Sequence, residues 1–286
     1  MRWIVALALS CLVTGCGEKQ QETDIENTDP VYRLSRGKTR SYTVSCVQSV
    51  SANMGEETLV ADRRYDAAFT LAMEGEAETG FGTWITLDAL DASLVTKEGK
   101  QGFDSRQIVG KRIAATVARK GGAPAYPDPS TMPPLDLGQG GGGEQHVSFL
   151  FDYAFPRLPS GVAKEGDTWE TTVTRSHIEG SVPVTAPVTT AHRMIGFETI
   201  DGIPCMMVES RLSAPLSAVI EQDGKMWEYK GLLDGTAYWY FSPGTGALVR
   251  LSARENSQGA IWATEVKASI RQNTAVEVRL VHDDRE

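Results

Sequence analysis

The 286-residue chain is poor in the residues and spacings that announce chemistry. It has four histidines, His146, His177, His192 and His282, and none stands at a spacing that puts two metal ligands on one helix face or one strand. No metal site is therefore expected. The Gly-x-Ser-x-Gly elbow of many serine hydrolases is missing. Paired carboxylates occur at Asp88 with Asp91 and at Asp283 with Asp284, but they read as a strand edge and a solvated terminus. A general acid needs a desolvated carboxyl, and neither pair advertises one. The glycine run Gly138 to Gly143 lacks the Lys-Ser/Thr of a P-loop and follows a proline-rich stretch rather than a strand. The reading is of no catalytic residue and no cofactor. Basic clusters are lacking too. With 28 basic residues against 37 acidic ones, nucleic acid and anionic headgroups are poor partners. Beyond the N-terminus, no apolar run approaches the length of a membrane span.

What is there begins at the N-terminus, with Arg2, an apolar run from Trp3 to Val13, and small residues leading into Cys16. The run is too short to span a bilayer and suits a secretory signal, with an apolar core helix as the alternative. Val13-Thr14-Gly15-Cys16 resembles the lipobox of bacterial lipoproteins. That resemblance implies cleavage after residue 15 and acylation of Cys16, which two or three chains make a stable anchor. Gly17 stands where Asp would retain such a lipoprotein at the inner membrane, so the expected location is the periplasmic face of the outer membrane. Residues 16–29 then comprise the lipidated Cys and a polar, mostly acidic tether, with a reach of about 20 Å as a flexible chain.

Strand patterns dominate the remainder. Tyr65, Ala67, Phe69, Leu71 and Met73 alternate with smaller or polar residues, as do Tyr42, Val44 and Cys46. Asp201-Gly202, Asp223-Gly224 and the segment from Ser242 to Gly246 read as hairpin turns. The fold class expected is all-β and mainly antiparallel, with one short helix. That helix rests on the spacing of Val147, Leu150, Phe151 and Ala154 before Pro156, though Phe149, Phe151, Tyr153 and Phe155 also alternate as a strand would. Residues 121–145 are rich in Pro and Gly and read as a linker or long loop. They separate a first β unit, 30–120, from a second, 146–286. With Cys11 cleaved off and Cys16 acylated, Cys46 and Cys205 remain; in an oxidising compartment they are either a disulfide or buried thiols.

The stretches SRGKTRSYTV, from Ser35, and KEGDTWETTV, from Lys164, share a Gly, a Thr two places on and a Thr-Val pair at constant offset. A tandem duplication of a β unit explains the echo; so does the frequency of Gly-x-Thr as an entry to strands. Leu158-Pro159, Gly166-Asp167-Thr168-Trp169, Asp201-Gly202 and the run Gly235 to Gly246 resemble an uncharacterised family of bacterial envelope lipoproteins. The resemblance implies two β units joined by a linker and brings no catalytic residues; the expected form of the two related units is curved sheets or open half-barrels. The aromatic group Trp227, Tyr229, Tyr238, Trp239 and Tyr240 is either core packing or the lining of a ligand groove. Three functions follow, in this order: a lipid-anchored, non-enzymatic binding or carrier module for an apolar or amphipathic ligand; a structural protein docking to an envelope partner; a hydrolase of envelope polymers.

Overall fold

In the computed structural model, the described residues are 25–77, 79–127, 134–136, 144–145, 147–179, 182–222, 225–263 and 266–284. Residues 1–24, with Cys16, and His146, the Asp223-Gly224 turn and the glycine run lie outside them. Thirteen strands and one helix are named: β1 (Thr39–Met54), β2 (Glu57–Ala77), β3 (Gly80–Thr96), β4 (Gly99–Gly102), β5 (Arg112–Ala118), β6 (Leu135–Asp136), β7 (Glu144–Gln145), α1 (Ser148–Asp152), β8 (Thr168–Glu179), β9 (Val182–Ile200), β10 (Ile203–Gln222), β11 (Lys225–Ser242), β12 (Ala247–Ala263) and β13 (Val266–Asp283). All pairing is antiparallel, in one open sheet of order β4-β3-β2-β1-β13-β12-β11-β10-β9-β8 with β5 paired to β3. The small pair β6-β7 stands apart.

The all-β reading is what the structure has, and its alternation is visible strand by strand. Tyr42, Val44 and Cys46 on β1, and Tyr65, Ala67, Phe69 and Leu71 on β2, are buried, with smaller or polar residues between them on the other face. Asp201 and Gly202 both take positive φ, 52° and 78°, as a two-residue turn between right-twisted strands requires. The first and second β units run into each other rather than forming two sheets, because the last strand, β13, pairs along the length of the first, β1. Both copies of the Gly-x-Thr echo occupy the same local place: Gly37 (φ 79°) and Gly166 (φ 90°) each turn the chain into a strand, β1 and β8.

The sheet curls. Strand β8 comes back against β13 without pairing to it, and Arg175 on β8 bonds Glu255 on β12, four strand positions away. Glycines on the concave face permit this curvature. Gly231 and Gly259 are paired across β11 and β12, and the ring of Tyr229 lies over both where a Cβ at either would meet it at 2.6 Å.

The main core fills the concave face at the end where β1 begins, here called proximal. It is covered by β5, α1, the segment 30–35 and the turn leading to Ala163. The helix forms where its spacing predicts, and Val147, Leu150, Phe151 and Ala154 are all buried. Tyr32 donates its hydroxyl to Pro156 O (3.1 Å) and packs edge-on to Phe241, fastening the N-terminal segment to the cover. Arg40, buried, pairs with Asp283 (3.1 Å) and donates to the carbonyls of Arg33, Thr245 and Gly246. With all three nitrogens of its guanidinium engaged, this buried charge is tolerable and ties β1, β13 and the β11–β12 turn together.

The described parts of 121–145 are built into the fold: Gly122 N–H donates to Phe155 O (2.7 Å), Ala125 bridges to Thr116, and Leu135 is buried in the main core. A few apolar anchors suffice to fasten a stretch that composition marks as loop. Cys46 and Cys205 are free thiols. Cys46 faces the main core, whereas Cys205 sits with Ile203 and Val249 in a small separate cluster. On β10 the residues that join Cys46 in the main core are Met206 and Val208, so Cys205, one step out of phase with them, points to the opposite face and the two thiols are directed apart.

Candidate functional site

Towards the other, distal end of the strands the concave face carries a second apolar cluster: Val50, Val184, Ala186, Val188, Ala214, Leu216, Tyr229, Leu233 and Ile270. Ala52, Leu212, Ala218, Ile220 and Ile261 extend it while only partly buried. The same alternation that fills the main core places these residues on the same face, one pleat after another. Between the two clusters runs a belt of buried polar side chains, Gln48, Arg63, Ser257, Gln272 and Thr274. A continuous apolar face interrupted midway by polar groups is not what core packing alone selects, since each buried polar group costs free energy unless it is satisfied.

The belt ends in an ionic knot. Arg175 donates to both carboxylate oxygens of Glu255 (3.0 and 3.4 Å) and to the hydroxyl of Tyr153 (3.2 Å), which itself donates to Glu255 (3.3 Å). Glu255 lies near Cys46 and, with burial as the larger cause, helps push that thiol up to about 12, so Cys46 is inert as a nucleophile. Next to Tyr153, Asp152 has Oδ1 sealed from solvent with no hydrogen-bond partner. Burial raises this carboxyl to about 7, against the pull of the Arg175 cation. Tyr126, whose hydroxyl also lacks a partner, faces it. The knot joins an edge strand, a central strand and the covering helix.

A third arrangement crosses four strands. Trp239 Nε1–H donates to Ser210 Oγ (2.8 Å), Ser210 contacts His192 Nδ1 (2.7 Å), and His192 Nε2 contacts Thr171 Oγ1 (3.0 Å). Trp169 stacks on the imidazole with centroids 5.1 Å apart. Burial lowers His192 to about 4, so it is neutral near pH 7. A hydroxyl 2.7 Å from an imidazole resembles a nucleophile and its base, but Ser210 is 5% exposed and its oxygen already accepts from Trp239, while Thr171 stands where an orienting carboxylate would be. The ladder's fit is to fastening β8, β9, β10 and β11. Nothing in the spacing of these residues marked them out beforehand.

The five aromatics singled out from sequence do not line one groove. Trp239 and Tyr229 are buried on the concave face, the first in the main core and the second in its glycine slot. Tyr238 and Tyr240 point to the opposite face, where Tyr238 is exposed and donates to Glu209 (3.3 Å). Trp227, on the concave side, is half-buried at the distal end. Two shallow hollows of about 500 Å³ each lie at the proximal edge, sharing Gly166: one is bounded by 159–163 and 166–169, the other by Glu165, Arg193–Ile195 and Glu209. Among the described residues no three or more His, Cys, Asp or Glu converge as a metal site would require, and no helix is long and apolar enough to cross a membrane.

No family model and no curated protein matches the chain. Among solved structures it is similar to an outer membrane channel from Pseudomonas putida F1, at 9% identity and a TM-score of 0.27, with 87% of this chain and 97% of that one covered. It is also similar to a DUF1329 family protein from Desulfovibrio piger, at 10% identity and a TM-score of 0.16, with 91% and 90% covered. Likenesses at these scores say nothing about what this chain does.

Proposed function

We propose that the chain is a lipid-anchored, non-enzymatic envelope lipoprotein, held through Cys16 at the periplasmic face of the outer membrane, that binds an apolar or amphipathic ligand in the distal half of its curled sheet. The observation that carries this is the second apolar cluster, on the same concave face as the main core but set off from it by the polar belt and bordered by the partly exposed Ala218, Ile220 and Ile261. Apolar walls with a few polar groups at their floor suit an acyl chain whose head is polar. Support for the anchor comes from the N-terminal pattern ending in Gly15-Cys16.

The test is binding of an environment-sensitive apolar dye to the mature protein, with competition by long-chain acyl amphiphiles. Saturable, displaceable fluorescence is expected, weakened by Ile220→Glu, a substitution at a half-buried position that leaves the main core untouched. Absence of dye binding by a cooperatively folded protein overturns the ligand reading. A second reading, docking to an envelope protein, is favoured by the exposed apolar side chains Met54, Val60, Val219 and Met226. It predicts a defined complex on cross-linking in the envelope.

A further inference from the structure

The helix that covers the main core is joined to the sheet differently from everything beneath it. Among the described residues, the backbone hydrogen bonds of the stretch 147–155 are made within the stretch or with Gly122, which lies outside the strands, and none reaches the large sheet. The five-residue α1 has no side-chain cap on its first turn. Side chains hold it down: Phe149 edge-on to Tyr65 (5.3 Å between centroids), Phe151 edge-on to Phe69 (5.0 Å), and Tyr153 in the knot with Arg175 and Glu255. Lifting α1 therefore breaks no rung of the sheet. A segment held in this way opens by itself at a lower free energy than the strands it lies on.

At the end of this helix a carboxyl is left without an answer. Asp152 is half-buried, but its Oδ1 is sealed from solvent and has no hydrogen-bond partner, and the sealed hydroxyl of Tyr126 has none either. The Arg175 cation on β8 is already engaged by both oxygens of Glu255 on β12 and by the Tyr153 hydroxyl. From β2 come Arg63 and Tyr65, and from β1 the Cys46 thiol, which acts on Tyr153. Burial pushes Cys46 and the hydroxyls of Tyr65, Tyr126 and Tyr153 up, so these groups keep their protons near pH 7, and both arginines keep their charge. A carboxylate formed at Asp152 is thus desolvated on one side with no donor to receive it. It recovers its hydration only where α1 leaves the sheet.

We infer that Asp152 is a proton-operated latch on the cover: protonated, it lets α1 lie on the concave face, and ionised, it drives α1 off and exposes the part of the main core that holds Cys46. The inference rests on neither the lipid anchor nor the interior ligand. The closed form holds the proton more tightly, with the acid raised to about 7 against roughly 3.9 for a solvated Asp. Opening is therefore most suppressed below about pH 4, grows up to about ten-fold per pH unit as pH rises, and levels off above about 7.

Amide hydrogen exchange of the mature protein at pH 5, 6, 7 and 8, normalised to the unstructured-peptide rate at each pH, reads the opening residue by residue. Ala154 and Phe155, whose N–H groups bond within the cover, are expected to lose about ten-fold or more of their protection between pH 5 and 7. Amides of β1 and β13 should stay nearly flat, because they exchange when the whole sheet opens and the opposed titration of His192 is released as well. In Asp152→Asn the cover should lose its pH response, and in His192→Gln it should keep it. Alkylation of Cys46 relative to Cys205 gives a second reading. Burial raises both thiols to about 12, so their own ionisation cancels in the ratio, which should climb with pH in the parent and not in Asp152→Asn. Cover protection that ignores pH in the parent overturns the latch. A loss shared equally by β1 and β13, or a response that survives Asp152→Asn, overturns it too.

Discussion

His192 is buried on the concave face and Asp152 half-buried in the helix that covers it, and their titrations oppose each other. Burial raises Asp152 to about 7, above the roughly 3.9 of an unfolded Asp, so the folded state holds its proton more tightly and stability is lost as pH rises from about 4 to 7. Burial lowers His192 to about 4, below the roughly 6.5 of an unfolded His, so stability is lost as pH falls from about 6.5 to 4. In the shared window the slopes cancel. Asp152→Asn is therefore expected to leave a protein whose stability climbs with pH between 4 and 6.5, and which exceeds the parent by on the order of 2–4 kcal/mol at pH 8. His192→Gln is expected to show the reverse slope. Denaturant melts at pH 4.5, 6.5 and 8 read both, and parallel curves for all three proteins would contradict the assignment. None of this was legible in the chain. Asp152 reads as one more acidic residue near a helix end, and its environment comes from Tyr126 and Arg175, which are remote in sequence.

Strand alternation was legible wherever one face is buried, as in Tyr42-Val44-Cys46, and so was α1 from the spacing of its four buried residues. Strand pairing was not, because β1 meets β13 across the length of the chain and leaves no local pattern in either. The same holds for the edge: Arg175 and Glu255 are eighty residues apart, and only the curl of the sheet joins them. Arg175→Met strands a largely buried carboxylate, with an expected loss of about 2–4 kcal/mol. Adding Glu255→Leu should recover most of it, because both charges are then gone; additive losses in the double variant would show that the pair does not couple β8 to β12. Curvature is testable at the glycine pair. Gly231→Ala puts a Cβ 2.8 Å from Gln258 O as well as on the Tyr229 ring, and an expected cost of about 1–3 kcal/mol follows. At Gly244, where the nearest atom is Ser242 Oγ at 3.8 Å, alanine should change stability by less than about 0.5 kcal/mol in the same melts.

One curled sheet, filled and covered at its proximal end and apolar at its distal end, gives the protein a direction. The N-terminal segment is fastened at the covered end, and five of the nine exposed large apolar side chains of the described residues, Met54, Leu59, Val60, Val219 and Met226, flank two turns at the other. Removing the acyl acceptor with Cys16→Ala is expected to release the protein from membrane fractions without changing its unfolding curve, since the proposed anchor is joined to the sheet by a polar tether. Retention in the membrane fraction after that change would speak against the anchor. The claim on which the account turns is that the distal concave face holds an apolar ligand. The most direct measurement is native mass spectrometry of the mature protein extracted from its own envelope in mild detergent. The account predicts a lipid-sized mass beyond the covalent anchor, displaced by acyl competitors and depleted in Ile220→Glu. A protein carrying its anchor and nothing more, or one that leaves the envelope in a fixed complex with its interior unoccupied, would contradict it.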